Sequence, residues 1–144
     1  MACKICRRLP RRGLLLAALV LTACSSEPTP EKAAKERERV QSTATSALLL
    51  AGAWHDGTAP SVYATHTMEQ FSNQLAKAES SAVWAVLPLT TRTTLAQELS
   101  SLRTVTATMD TAMRREDRHA LDTLRATLIS HQQRMSNIPI DTTS

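Results

Sequence analysis

Between Leu89 and Ile138 the chain has neither glycine nor proline, and its apolar residues recur every three or four positions. That pattern admits little besides helix. Leu95, Leu99, Leu102, Val105, Met109 and Ala112 form one stripe, and Leu121, Leu124, Leu128 and Met135 form a second. Residues at these spacings lie on one face of a helix, because about 3.6 of them complete a turn. The two stripes do not share a register, and Arg114-Arg115-Glu116-Asp117-Arg118 lies between them. A hairpin near Glu116 is therefore favoured over a single helix of roughly 45 residues, which would far exceed the usual length. Asp117 suits the cap of the fourth helix, since a short carboxylate can accept from the unpaired N–H groups of a first turn.

The same periodicity continues upstream. Glu31 to Arg39 alternates in charge and offers the favourable Glu31/Lys35 pair, so it reads as a solvated helical face. Val40, Ala44, Ala47, Leu48 and Ala51 supply the apolar side of that helix. His55-Asp56-Gly57-Thr58-Ala59-Pro60 reads as a turn, with Pro60 and Ser61 starting the next helix. Met68, Phe71, Leu75, Ala78, Ala82 and Ala85 then step by three and four, and the segment is expected to bend at Pro88. The expected fold is all-α: a small antiparallel bundle with helices over about 31–54, 61–86, 90–114 and 117–137. A three-helix arrangement, with the last two fused, is the alternative. The bundle domain spans 31–138; the chain is expected to fray after Asn137, leaving 139–144 as a disordered tail.

The N-terminus obeys a different logic. Lys4, Arg7, Arg8, Arg11 and Arg12 precede eight uninterrupted apolar residues, Leu14 to Leu21. A membrane-spanning helix needs about 20 residues, so this run is too short to span and reads as a signal peptide. Leu21-Thr22-Ala23-Cys24 then resembles the lipobox of a bacterial lipoprotein: an aliphatic residue, two small ones and a cysteine. The resemblance covers about the first 24 residues. It implies cleavage between Ala23 and Cys24, removing 1–23. It also implies an S-diacylglyceryl group and an N-acyl chain on Cys24, the only cofactor-like attachment expected. Two or more acyl chains make such an anchor stable, where one gives only marginal binding. Residues 24–30 become the lipidated cysteine and a flexible Pro-containing tether. Ser25, rather than aspartate, after the cysteine implies the outer membrane, facing the periplasm, in a Gram-negative cell. The weak Arg11-Arg12 resemblance to a twin-arginine motif yields to the general secretory route.

Removing the signal rewrites the composition. Five of the 17 basic residues lie before Cys24 and all 13 acidic residues lie after it, so the remaining chain is near neutral. Nucleic acid is not expected as a partner, because such binding needs a basic domain or patch. The Cys3/Cys6 pair, with the spacing of a redox or metal motif, belongs to the discarded piece, and Cys24 is consumed by lipid. The mature chain has no free thiol and no disulfide, so packing must hold the fold.

Candidate chemistry is sparse. His55, Asp56, His66 and Glu69 could group near the first turn, and His66 and Glu69 have helical spacing. Zinc sites usually bring two tight ligand pairs, whereas here only one pair has that spacing. His119, Asp122 and His131 form a second set, with His131 beside the apolar stripe. Glu116/Asp117 is a carboxylate pair in a charged turn. No nucleophile elbow or phosphate-cradling glycine loop occurs. No catalytic or metal residues are assigned, and an enzyme is not expected. Trp54 and Tyr63 can meet as a hydrophobic plug at one end of the bundle, or as an exposed aromatic patch. The expected role is that of a lipid-anchored bacterial envelope protein, non-catalytic, acting by interaction or structurally. Its partners would be the membrane and another envelope protein. A periplasmic small-ligand or metal-binding helical protein, using the His55/His66 end, is the competing reading.

Overall fold

The computed structural model describes residues 27–141. Four α-helices, α1 (Pro30–His55), α2 (Ser61–Glu79), α3 (Leu89–Arg114) and α4 (Arg118–Ser136), are joined by short connections. A 3-10 helix (Ala82–Val86) lies between α2 and α3. Each helix packs on the next, α4 returns to α1, and α1 also touches α3 across the core. The result is the expected small all-α bundle with its third and fourth helices separate.

Local chemistry sets the ends. Thr29 caps α1, its hydroxyl accepting from the Lys32 N–H (3.4 Å), and Pro30 occupies the first turn, where its missing N–H costs nothing. Asp117 caps α4 as its sequence position predicts, accepting from the Ala120 N–H at 2.9 Å. Between α3 and α4 the chain reverses through Glu116, whose φ of 56° is unusual for a side-chain-bearing residue.

The predicted stripes are the core. Val40, Ala44, Ala47 and Ala51 of α1 meet Met68, Leu75 and Ala78 of α2. Leu95, Leu99, Leu102, Val105, Met109 and Ala112 of α3 join them, with Leu121, Leu128 and Met135 of α4. Leu48, Phe71 and Leu124 are only partly buried at the edges of their stripes. Fully buried Thr106 turns its hydroxyl back to the Leu102 carbonyl at 2.8 Å and shows the core its methyl group. Many of the exposed threonines bond the same way, four residues back, as Thr93, Thr104 and Thr108 do.

Two expectations require correction. The second helix does not continue to 86: α2 stops at Glu79, and exposed Ala82 and Ala85 lie outside it. Ser80 folds its hydroxyl onto the Ala76 and Lys77 carbonyls, and Ser81 starts the 3-10 helix by accepting from the Val83 N–H. Trp84 then turns inward and donates its indole N–H to the Ala78 carbonyl at 2.6 Å. An α-helix would have pointed Trp84 elsewhere; burying this ring outweighs continuing the helix.

The second correction concerns the tail. Ile138 is buried and its carbonyl accepts from Arg37 Nη1 at 2.6 Å, while Ile140 packs against the core. Order therefore persists beyond Asn137. Helices α1 and α3 have 26 residues each and α2 and α4 have 19 each. At about 1.5 Å per residue, the long pair outruns the short pair by roughly 10 Å. The 3-10 helix and the Asn137–Ile140 segment fill that length at the end where α1 begins.

Candidate functional site

The residues with the most specific sequence signal, Ala23 and Cys24, lie outside the described residues. The structure contributes the point where the chain enters the bundle. Helix α1 starts at Pro30, six residues after Cys24, so a lipid on that cysteine would hold the bundle by its α1 N-terminal end. No helix among the described residues is long and apolar enough to cross a membrane.

At the opposite end the residues weighed as possible ligands disperse. His55 lies between two carboxylates, with Nδ1 3.4 Å from Asp56 Oδ1 and Nε2 3.6 Å from Asp122 Oδ2. His66 turns to Gln70 at 3.2 Å, and Glu69 reaches across to Arg114 at 3.6 Å. Arg114 also pairs with Asp110 at 2.8 Å, which raises the guanidinium pKa further. Asp122 contacts Arg125 as well as His55, and His119 is exposed. Among the described residues, no three His, Cys, Asp or Glu side chains are placed to hold a metal ion. Glu116 and Asp117 serve the turn and the cap, so they do not act as a carboxylate pair.

Trp54 and Tyr63 part company. Trp54 is buried, donating its indole N–H to the Ser61 hydroxyl at 3.1 Å, with the Arg118 guanidinium 5.9 Å above its ring. Helix α1 thus plugs this end with one ring, and a cation covers it. Tyr63 is 59% exposed and lies beside Val62, which is also exposed.

The most organised polar cluster was invisible as a group in the sequence. His131, noted beside the α4 stripe, places Nδ1 2.7 Å from Glu98 Oε2 on α3, and Arg134 Nε donates to Glu98 Oε1 at 3.0 Å. The nitrogen facing a carboxylate must carry its proton. The 2.7 Å approach of Arg134 Nη2 to the same Nδ1 is therefore a contact between donors. Burial pushes the Glu98 carboxyl upward, but the hydrogen bonds from His131 and Arg134, with their charge, outweigh it and hold Glu98 below the usual carboxylate range. The only hint in the sequence was His131 and Arg134 three apart on one helix face; their partner lies 33 and 36 residues upstream of them.

Glu98 and Arg134 border an open groove of about 450 Å³, walled by Thr90, Thr91, Thr94 and Asn137 and floored by Ile138 and Pro139. The charges on its wall satisfy each other, and the surface that faces the groove is more apolar than polar, with threonine hydroxyls and the Asn137 amide among it. Such a lining can make polar contacts, but it presents no activated nucleophile. No protein-family model, no curated protein and no solved structure matches this chain.

Proposed function

We propose that this chain is a bacterial lipoprotein of the cell envelope, anchored through lipid on Cys24, whose helical bundle acts by binding rather than by catalysis. One observation carries the reading: a basic head, a short apolar body and Leu21-Thr22-Ala23-Cys24 in sequence, all completed six residues before the bundle begins. The order of parts is that of an anchor, a tether and a folded domain. Ser25 directs the proposal to the periplasmic face of the outer membrane. The non-catalytic half of the reading draws support from the ionisable side chains, which are spent on one another, as in Glu98 with Arg134 and Glu69 with Arg114.

Metabolic labelling with a fatty-acid analogue tests the anchor. The parent chain should take up label in the membrane fraction, and Cys24→Ser should lose the label and accumulate as precursor. Normal maturation of that variant would refute the anchor. For the binding half, crosslinking in intact cells should trap a reproducible protein neighbour of the bundle. A stoichiometric metal, or a large ligand-induced rise in melting temperature, would replace this reading with that of a small-ligand binder.

A further inference from the structure

The corner between the 3-10 helix and α3 alternates sharply in burial. Val86 is 36% exposed, Leu87 is 7% exposed, and Leu89 is 68% exposed after exposed Pro88. Leu87 joins Trp84 in the core, while Val86 and Leu89 project outward. Arg92 is exposed one turn farther along α3. This corner belongs to the end of the bundle where α1 starts, because α2 runs back toward that end and the 3-10 helix packs on α1.

Chain length supplies the occupant. The six residue steps from Cys24 to Pro30 reach at most about 20 Å even when fully extended. A lipid on Cys24 would therefore keep this end within that distance of the bilayer, too close for an intervening folded domain about 30 Å across. We propose that the Val86–Leu89 corner is a membrane-contact surface: it seats the bundle upright, with Val86 and Leu89 at the boundary between headgroups and acyl chains. Arg92 lies where a long cationic side chain can reach lipid phosphate. The proposal rests on the lipid-anchor reading. It explains why two apolar side chains stay outside a core that had room to turn Leu87 and Trp84 inward.

The mature chain offers a clean test, because lipid would consume its one cysteine and an introduced thiol would be the only free one. Full-length Leu89→Cys and Tyr63→Cys chains are matured in cells, checked for acylation by mass and labelled with a nitroxide. They are then reconstituted into phosphatidylethanolamine–phosphatidylglycerol vesicles. Tyr63 is the control, near the opposite end of α2, which is about 28 Å long. On reconstitution, collisions of the position-89 label with a water-soluble nickel chelate should fall severalfold and its collisions with oxygen should rise, while position 63 stays aqueous. An acylated protein whose position 89 is as aqueous as position 63 overturns the contact and leaves the anchor standing. Protection at 89 without the rise in oxygen collisions marks a protein neighbour and also overturns it. An unacylated protein overturns both readings.

Discussion

Where α1 meets α2 and α3 meets α4, the chain reverses through backbone conformation. Gly57, at φ 73°, and Glu116, at φ 56°, take left-handed geometry, while Asp117 caps α4 and Trp54 plugs the core from the end of α1. At the opposite end there is no pair of matched tight turns. Helices α2 and α4 stop short, and the 3-10 helix and the Asn137–Ile140 segment are drawn in by buried Trp84, Leu87 and Ile138. The contrast teaches that one end is specified by the conformations of a few residues and the other by burial of side chains outside the α-helices. Under the proposed anchor, the side-chain-built end is the one that faces the membrane.

Emptying the Trp84 pocket at the side-chain-built end should give the largest effect. Trp84→Ala should lower the unfolding free energy by roughly 3–5 kcal/mol, as for other buried aromatic deletions. Urea denaturation reads the loss, and amide exchange should speed first over residues 82–87. A change below about 1 kcal/mol, within the range of ordinary substitutions, would show that burial does not close this end.

The polar cluster at the same end comes next. Glu98→Gln should cost about 1.5–3 kcal/mol near neutral pH, the range for hydrogen bonds to charged groups. Folding lowers the Glu98 pKa, so its contribution is present above the unfolded carboxylate value and is lost as pH falls through the folded value. The gap between parent and variant should therefore shrink on acidification below the usual carboxylate range. A gap that stays constant with pH would remove Glu98 from the acid response.

The turn end should respond least, and in both directions. Gly57→Ala forces a side chain into left-handed geometry, although no neighbouring atom crowds the position, and should cost about 1–2 kcal/mol. Glu116→Gly relieves the same strain and should gain about 0.5–1 kcal/mol after the greater freedom of unfolded glycine is counted. Two losses, or two gains, in melting temperature would break the view that backbone conformation sets this end.

The sequence revealed the helices that pack through regular stripes and missed the parts that do not. Periodicity placed every buried residue predicted for α3, and the charged break plus Asp117 located its turn into α4. Period alone could not see that Ala82 and Ala85 fall outside α2, because three-four spacing continues past the point where Ser80 and Ser81 end the helix. Trp84 decides that region through a tertiary pocket and a bond to the Ala78 carbonyl. Nothing local in the sequence marks Ile138 and Ile140 as packed, because the order of this segment depends on α1, about a hundred residues away, through Arg37. Pairing of Glu98 with His131 and Arg134 is likewise a product of α3–α4 packing. The lipobox-like Leu21-Thr22-Ala23-Cys24 is the reverse case: the reading it suggests is local in sequence, and it lies outside the described residues.

Intact mass spectrometry of the protein extracted from membranes tests the anchor most directly. The predicted species begins at Cys24, lacks residues 1–23, and carries the added mass of a diacylglyceryl thioether with or without an N-acyl chain. A species that retains the N-terminal segment, or begins elsewhere without lipid, would contradict the proposed anchor and with it the membrane-facing assignment of the Trp84 end.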